Sequence, residues 1–264
     1  LSVGWRQTWI VFAGLTVALL VLPAIFVIRR TPEDMGLRPD GVGDLGGAET
    51  AASTKKNTLA DNTVAESELL WTRAEAMRTS AFWLLVVTFG ISSVGVTGLN
   101  LHVYPYVTDI GHSPVVAATV MSVIASMQLA SPLAWGLLAE RIDPRYAAML
   151  RFVVQGAGLG LAILTGNLFC LYAGFFLYGI GLGGNMVLPD ILWASYFGRR
   201  SLGRVRGMGL LISHVLAAFG PPFFGFLFDA TGGYGLSFAI FGTVLMISAG
   251  LSLLLRPPRR STME

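Results

Sequence analysis

The sequence predicts an all-α protein that crosses a membrane seven times, and three observations support this. Of the 264 residues, 54% are hydrophobic and 12% are charged, whereas soluble domains carry roughly 25% charged residues. The apolar residues form seven stretches of about 20 residues, the length that crosses roughly 30 Å of hydrocarbon. The Lys and Arg residues occupy alternate gaps between these stretches. The predicted spans are residues 8–28, 80–106, 113–138, 146–166, 168–189, 207–228 and 236–255.

The basic residues also predict the orientation of the spans. Of the 18 Lys and Arg residues, 16 lie in the gaps that follow the first, third, fifth and seventh spans, Arg151 lies just inside the fourth span beside one of these gaps, and only Arg6 lies on the other side. Because Lys and Arg accumulate in cytoplasmic loops, these gaps and the C-terminus are predicted to be cytoplasmic. The membrane is predicted to be the plasma (inner) membrane. Arg151 lies about one turn inside the fourth span, and we expect it to snorkel to the cytoplasmic surface.

Seven spans with a cytoplasmic C-terminus place residue 1 outside, yet no initiating Met or signal peptide precedes the first span. We therefore expect this chain to be part of a longer protein. Residues 1–28 would be the last helix of a missing N-terminal half, and residues 29–79 a cytoplasmic central loop with a flexible, polar linker. Residues 80–256 would form a six-helix bundle, followed by a cytoplasmic tail at 257–264.

Glycines divide the last six spans into two groups of three. The second span contains Gly90, Gly95 and Gly98, and the fifth contains five glycines between residues 174 and 184. Paired glycine-interrupted helices at matching places in two groups are typical of inverted-repeat transporters, whose solute site lies between them. Close packing of helices through small residues is an equally valid interpretation.

Several loop segments carry a family resemblance. RTPEDMGLRPDG at 30–41 and TRAEAMRTSAFWLL at 72–85 look like the two ends of a central cytoplasmic loop, and SYFGRRSLGRVRGM at 195–208 and GFLFDATGGYGLSF at 225–238 look like the loops around an eleventh helix. Together they resemble helices six to twelve of a major facilitator superfamily transporter, in the branch of monocarboxylate and oxalate/formate-type carriers. The resemblance implies a 3+3 inverted-repeat bundle that transports a small solute, with a proton as a second partner and no cofactor.

A further motif, GLLAERIDPR at 136–145, resembles the GxLaDrxGrr loop of that superfamily, with Glu140 in the place of Asp. The resemblance implies that Gly136, Glu140, Arg141 and Arg145 form a cytoplasmic gate. A carboxylate flanked by two guanidinium groups can form an ion-pair cluster and meet the N-terminal dipole of a helix. Ordinary topological charge also explains these arginines.

A stripe of polar residues on the second span predicts a cavity wall. Ser93, Thr97, Asn100 and Tyr104 are spaced at i, i+4, i+7 and i+11 and therefore share one helix face. Hydroxyl and amide groups are costly in hydrocarbon, so this face should contact protein or water. Either a position on the wall of a solute cavity or hydrogen bonding to a neighbouring helix would meet this requirement.

Other polar residues within spans are Gln128, Asn185 and His214, each a candidate for contact with the solute or with a neighbouring helix. His214 is predicted to be the only ionisable, non-phenolic side chain deep in a span, which makes it a candidate for proton relay or solute contact. Pro221 and Pro222 should leave the carbonyls of Ala217 and Ala218 without helical partners and kink the sixth span.

These features predict half of a secondary transporter that alternates access in the lipid bilayer. Because neither the third nor the sixth predicted span contains Lys or Arg, a carboxylate solute is disfavoured unless the missing half supplies the cation. The alternative is a seven-helix receptor, whose topology is the same. No catalytic or metal-ligand constellation is evident, so we expect neither an enzyme nor a metal or cofactor. Asp190 and Asp229 are expected to cap or pair at span ends.

Overall fold

The computed structural model describes residues 5–27, 71–164, 166–198 and 201–258, and their regular structure is entirely helical. The chain divides into two compact units, residues 1–60 and 61–264, which are described separately. In the first unit, α1 and α2 flank a π-helical segment, Val17–Val21. The helices are α1 Trp5–Thr16, α2 Leu22–Val27, α3 Arg73–Met77, α4 Ser80–Asp109, α5 Pro114–Arg141, α6 Pro144–Leu164, α7 Leu168–Phe197, α8 Leu202–Ala217, α9 Gly220–Thr231 and α10 Gly235–Leu254.

The prediction of seven spans is confirmed. Seven helical stretches in the described residues are long and apolar enough to cross a membrane. They are Gln7–Ile25, Ser80–Asp109, Pro114–Arg141, Pro144–Leu164, Leu168–Phe197, Leu202–Thr231 and Gly235–Leu254. Most of the predicted central loop, residues 28–70, lies outside the described residues, as does the tail from residue 259.

Two predicted boundaries were wrong. The fifth span continues past residue 189 to Phe197, and the sixth begins at Leu202 rather than at residue 207. Charged residues at 190 and 206 marked the ends in the sequence, but 30 helical residues extend about 45 Å, well beyond the hydrocarbon. The helix ends instead at Gly198, whose φ of 75° suits glycine. Asp190 and Arg206 therefore both lie on helices.

The predicted kink in the sixth span is confirmed as a break between α8 and α9. The break lies at residues 218–219, and the prolines occupy the first turn of α9, where a missing N–H costs little. Pro221 removes the donor that would have bonded the carbonyl of Ala217. The Thr97 hydroxyl donates to that carbonyl instead, at 2.6 Å.

The second unit is a six-helix bundle in which the two groups of three exchange contacts. The first helix of one group, α4, packs on α8, α9 and α10, while the first helix of the other group, α7, packs on α5 and α6. The third helices, α6 and α10, pack on each other. Each leading helix thus contacts mainly the other group, as expected for a 3+3 repeat.

Glycines permit the tightest of these contacts. A Cβ at Gly158 of α6 would lie 2.5 Å from the Tyr178 nitrogen of α7, and a Cβ at Gly174 would lie 2.5 Å from the Ala162 nitrogen. Between α4 and α9, a Cβ at Gly220 would collide with the Val94 carbonyl oxygen. Small residues at these crossings let helices approach closely, which is how membrane helices gain packing energy.

Candidate functional site

A cavity of about 390 Å³ lies between α4, α7 and α8. Its wall contains four of the seven polar residues that the sequence predicted for a solute cavity, and it also contains apolar side chains such as Leu85, Phe89 and Leu210. The four predicted residues on the wall are Ser93, Thr97, Asn185 and His214. Three helices distant in sequence thus bring these groups together, and the mixture of polar and apolar groups suits a small amphipathic solute.

Ser93 and Thr97 line the cavity and also join two helices, so hydrogen bonding between helices is observed for them, and contact with a solute stays a prediction. The Ser93 hydroxyl donates to Gly90 O at 2.6 Å and lies 3.1 Å from Ser213 O of α8. The Thr97 hydroxyl donates to Ala217 O, one turn further along α8. These bonds satisfy the hydroxyls and fix one wall of the cavity against α4.

His214 lies exposed on the cavity wall with one ring nitrogen occupied. Its Nδ1 lies 2.8 Å from the carbonyl oxygen of Leu210, one turn earlier on α8. Because a carbonyl oxygen only accepts, Nδ1 carries the proton of this bond, and Nε2 is the acceptor of the neutral ring. Among the described residues no hydrogen bond to Nε2 is formed, so this nitrogen is available to a solute or a proton.

An ion pair borders the same cavity. Arg206 of α8 and Asp190 of α7 approach to 2.6 Å, and both line the cavity. The expected pairing of Asp190 is therefore observed. The prediction that the sixth span contains no Lys or Arg was wrong, since α8 includes Arg206 more than one turn from its start.

Three other predicted cavity residues lie apart from this cavity. Asn100 and Gln128 line a smaller cavity of about 210 Å³ between α4 and α5. Tyr104 is exposed, near the end of α4. Although the polar stripe lies on one helix face, crossing helices cover such a face over only part of its length. The stripe at Asn100 therefore faces α5 rather than α8.

The predicted gate residues lie where α5 ends and α6 begins. Arg145 pairs with Asp143 at 3.1 Å and its guanidinium lies 4.8 Å from the centroid of the Tyr146 ring. Asp143 also accepts a hydrogen bond from the Arg145 backbone N–H at 3.0 Å, so it caps α6. Asp143 thus occupies the pairing and capping position that the sequence analysis gave to Glu140. Glu140 and Arg141 are exposed at the end of α5, and Gly136, on the same helix, is partly buried.

Arg151 is the functional candidate that the sequence analysis missed, and the expectation that it snorkels to the surface was wrong. It is completely buried in the bundle. Its Nη1 lies 3.4 Å from Gln155 Oε1, its Nη2 lies 3.5 Å from Ser92 Oγ, and its Cζ lies 3.7 Å from the Phe152 ring centroid. His214 is therefore not the only ionisable, non-phenolic group deep in a span.

The residues on the buried face of α6 that includes Arg151 recur at helical spacing in the sequence. Five buried residues recur on one side of the helix: Ala147, Arg151, Gln155, Gly158 and Ala162. Four of them are small or polar, as expected where two membrane helices pack closely. Gly184 of α7 makes room for the arginine stem, since a Cβ there would lie 2.9 Å from its Cγ and Cδ.

The fold and this internal cavity define a polytopic helical membrane protein. The sequence model described as Major Facilitator Superfamily matches residues 103–264, and the chain belongs to that family. Membership sets aside the seven-helix receptor, and it accords with a transporter rather than an enzyme.

The relatives support the resemblance to the monocarboxylate carrier branch. Monocarboxylate transporter 12 of Mus musculus is 26% identical over 174 residues, which cover 64% of this chain and 36% of the relative. Monocarboxylate transporter 13 of Rattus norvegicus is 27% identical over 165 residues, 59% of this chain and 37% of the relative. The chain thus spans well under half the length of these relatives. Among solved structures, the E. coli fucose:proton symporter matches with a TM-score of 0.59 at 11% identity, over 92% of this chain and 65% of that one.

Proposed function

We propose that residues 80–256 form the C-terminal half of a secondary transporter that moves a small organic anion, with protons as the coupling ion, by alternating access. The observation that carries the proposal is the convergence of Ser93, Thr97, Asn185 and His214 on one cavity between three helices. The Asn185 amide and the Nε2–H of a protonated His214 can donate hydrogen bonds to a carboxylate, Ser93 and Thr97 hold α8 against α4 at the same wall, and the apolar wall accommodates a short carbon skeleton.

The proposal includes a second half. Residues 1–28 are the last helix of an N-terminal six-helix bundle, and the central loop at 29–79 connects the two halves. The relatives, which are named monocarboxylate transporters, extend well beyond the matched region, and this supports the division. Rocking of one half against the other would open the cavity alternately to the two sides.

The basic connectors supply the orientation. The protein lies in the plasma (inner) membrane, with the basic connectors in the cytoplasm. The end of the cavity that carries Asp190 and Arg206 then faces the cytoplasm. The cluster at Glu140, Arg141, Asp143 and Arg145 then lies on the same side, where it can serve as the inner gate. The pair of Arg145 and Asp143 is local and would persist when the halves separate, so the exposed Glu140 and Arg141 would supply the contacts that break.

Proton coupling is assigned to His214. The Nδ1 bond to Leu210 orients the ring, and Nε2 can accept a proton on the cavity side. A histidine changes charge within the physiological pH range, so the protonated ring would attract an anionic solute. Solute and proton would then enter the cavity together.

Transport by the full-length protein in proteoliposomes tests this function. Radiolabelled short monocarboxylates and uncharged sugars are offered at two external pH values with the internal pH fixed. Uptake of a monocarboxylate that increases when the outside is acidified supports the proposal. Uptake that does not respond to the pH step would contradict proton coupling. Uptake of sugars alone would contradict an anionic solute.

A further inference from the structure

Arg151 places an uncompensated positive charge inside the bundle. Among the described residues, the ion pairs join Arg145 to Asp143 and Arg206 to Asp190, and no carboxylate lies within 4.0 Å of Arg151. A buried charge without a partner costs several kcal/mol. An anion beside the guanidinium would remove that cost.

The polar groups beside Arg151 offer hydrogen-bond donors that lack acceptors. Both guanidinium bonds, to Gln155 and Ser92, are long at 3.4 and 3.5 Å, whereas good N–H···O bonds measure 2.7–3.2 Å. Arg151 Nε and Gln155 Nε2 are buried and make no hydrogen bond within 3.5 Å among the described residues, and the neighbouring Tyr178 hydroxyl, which faces Gln155, is likewise unpartnered at that distance. Water could accept from these donors, but only an anion both accepts hydrogen bonds and neutralises the charge.

This cluster lies directly behind the wall of the cavity. Phe89 lines the cavity, and its ring centroid lies 5.4 Å from Arg151 Cζ. In two pairs of consecutive residues, one residue contacts Arg151 and the other lines the cavity. Ser92 contacts Arg151 while Ser93 lines the cavity, and Gly184 packs on the Arg151 stem while Asn185 lines the cavity. The Phe89 ring therefore lies between the cavity and the guanidinium.

We propose that Arg151, assisted by Gln155, forms an anion subsite that makes this transporter select small monovalent anions. The occupant is either the carboxylate head of the solute or an inorganic anion such as chloride, which share one charge and the capacity to accept several hydrogen bonds. Phe89 separates the subsite from the cavity and moves aside on occupation. The inference rests on the transporter function proposed above and supplies its substrate class from within this chain.

The test is anion-dependent thermal stabilisation of the full-length protein in detergent. Formate, acetate and chloride are each titrated at constant ionic strength against bulky gluconate, with uncharged acetamide as the neutral probe. At least one small anion should raise Tm in a saturable manner, while acetamide should not. Stabilisation by formate and acetate identifies the carboxylate, whereas stabilisation by chloride alone identifies an inorganic occupant.

Arg151→Met should abolish the anion-dependent rise in Tm, and the anion-free Tm should stay equal or increase, because an unpaired buried charge has been removed. Arg204→Gln is the control, since it removes an exposed arginine that lies outside both the cavity and the gate and should retain the rise. Gln155→Met keeps the charge but loses the free amide donor, and it should weaken the apparent anion affinity about tenfold. This variant decides the question if Arg151→Met does not fold.

The inference is overturned if wild-type protein shows no anion-dependent rise, or if the Met variants at residues 151 and 155 retain the wild-type titration. The transporter function would fail in a different way: anions would stabilise the protein while proteoliposomes took up no labelled solute. The two failures are therefore distinguishable.

Discussion

The Thr97 hydroxyl donates a hydrogen bond of 2.6 Å to the carbonyl oxygen of Ala217, the group that Pro221 leaves without a helical donor. This bond joins α4 to α8 at the point where the sixth span breaks. A cavity residue therefore also secures the break between α8 and α9.

Thr97→Val should destabilise the protein by about 1–2 kcal/mol, because it keeps the side-chain volume and leaves the partly buried Ala217 carbonyl unpaired. Thr97→Ser should retain most of the stability. Thr243→Val is the control, since Thr243 bonds only within its own helix, to Ala239 O at 2.9 Å. Thermal unfolding in detergent measures all three, and equal losses at residues 97 and 243 would contradict the assignment.

Gly220→Ala should disrupt the contact of α9 with α4. The added methyl group would collide with the Val94 carbonyl, and forcing extra volume into a packed site costs about 1–3 kcal/mol. Gly225→Ala, on the same helix, meets nothing within 4 Å and should be neutral or slightly stabilising. Expression level and Tm compare the pair. A tolerated substitution at residue 220 would mean that the two helices do not pack as described.

Asp190→Asn should lower the KM for an anionic solute by about threefold to tenfold, because it leaves Arg206 as an unpaired cation on the cavity wall. Arg206→Gln should raise KM in the opposite direction. Stability should change little in either case, since both side chains are partly exposed and such pairs contribute about 0.2–1 kcal/mol. Initial uptake rates give KM. A shift of the same sign in both variants would show that charge is not the cause.

His214→Gln should abolish the dependence of uptake on external pH while leaving solute exchange at equal pH measurable. Glutamine retains hydrogen-bonding capacity but does not titrate, so the coupling is removed without removing the polar wall. Uptake and exchange are measured at two external pH values. His102→Gln is the control, because His102 contacts Tyr234 and Pro221 away from this cavity. Persistent pH dependence in the residue 214 variant would assign the proton elsewhere.

The sequence predicted the spans and their grouping well because both depend on local composition. Hydropathy locates helices, and Pro221 marks a break wherever it lies in a span. The role of Thr97 as the compensating donor could not be predicted, since Thr97 and Ala217 are 120 positions apart and meet only through packing. The helix ends near Asp190 and Arg206 were misplaced because a charged residue marks where the hydrocarbon ends, and the helix continues beyond that point.

Arg151 shows a different limit of the sequence. Its distance from the start of α6 is compatible with snorkelling, and only the neighbouring helices decide otherwise. Gly184 opens a groove for its stem, and Phe152 and Phe89 enclose the guanidinium. The polar stripe on α4 was similarly predicted as one surface, but α8 and α5 divide it between two cavities.

The central claim is that the cavity between α4, α7 and α8 is the route of the solute. The most direct measurement is solute protection of Asn185→Cys from a membrane-impermeant thiol reagent, in full-length protein whose other cysteines, including Cys170, have been replaced. Phe176→Cys, exposed on the same helix, is the matched control. We predict that labelling at residue 185 inactivates transport and that solute slows it, with neither effect at residue 176. Labelling at residue 185 that leaves transport intact, or that solute does not slow, would contradict the account.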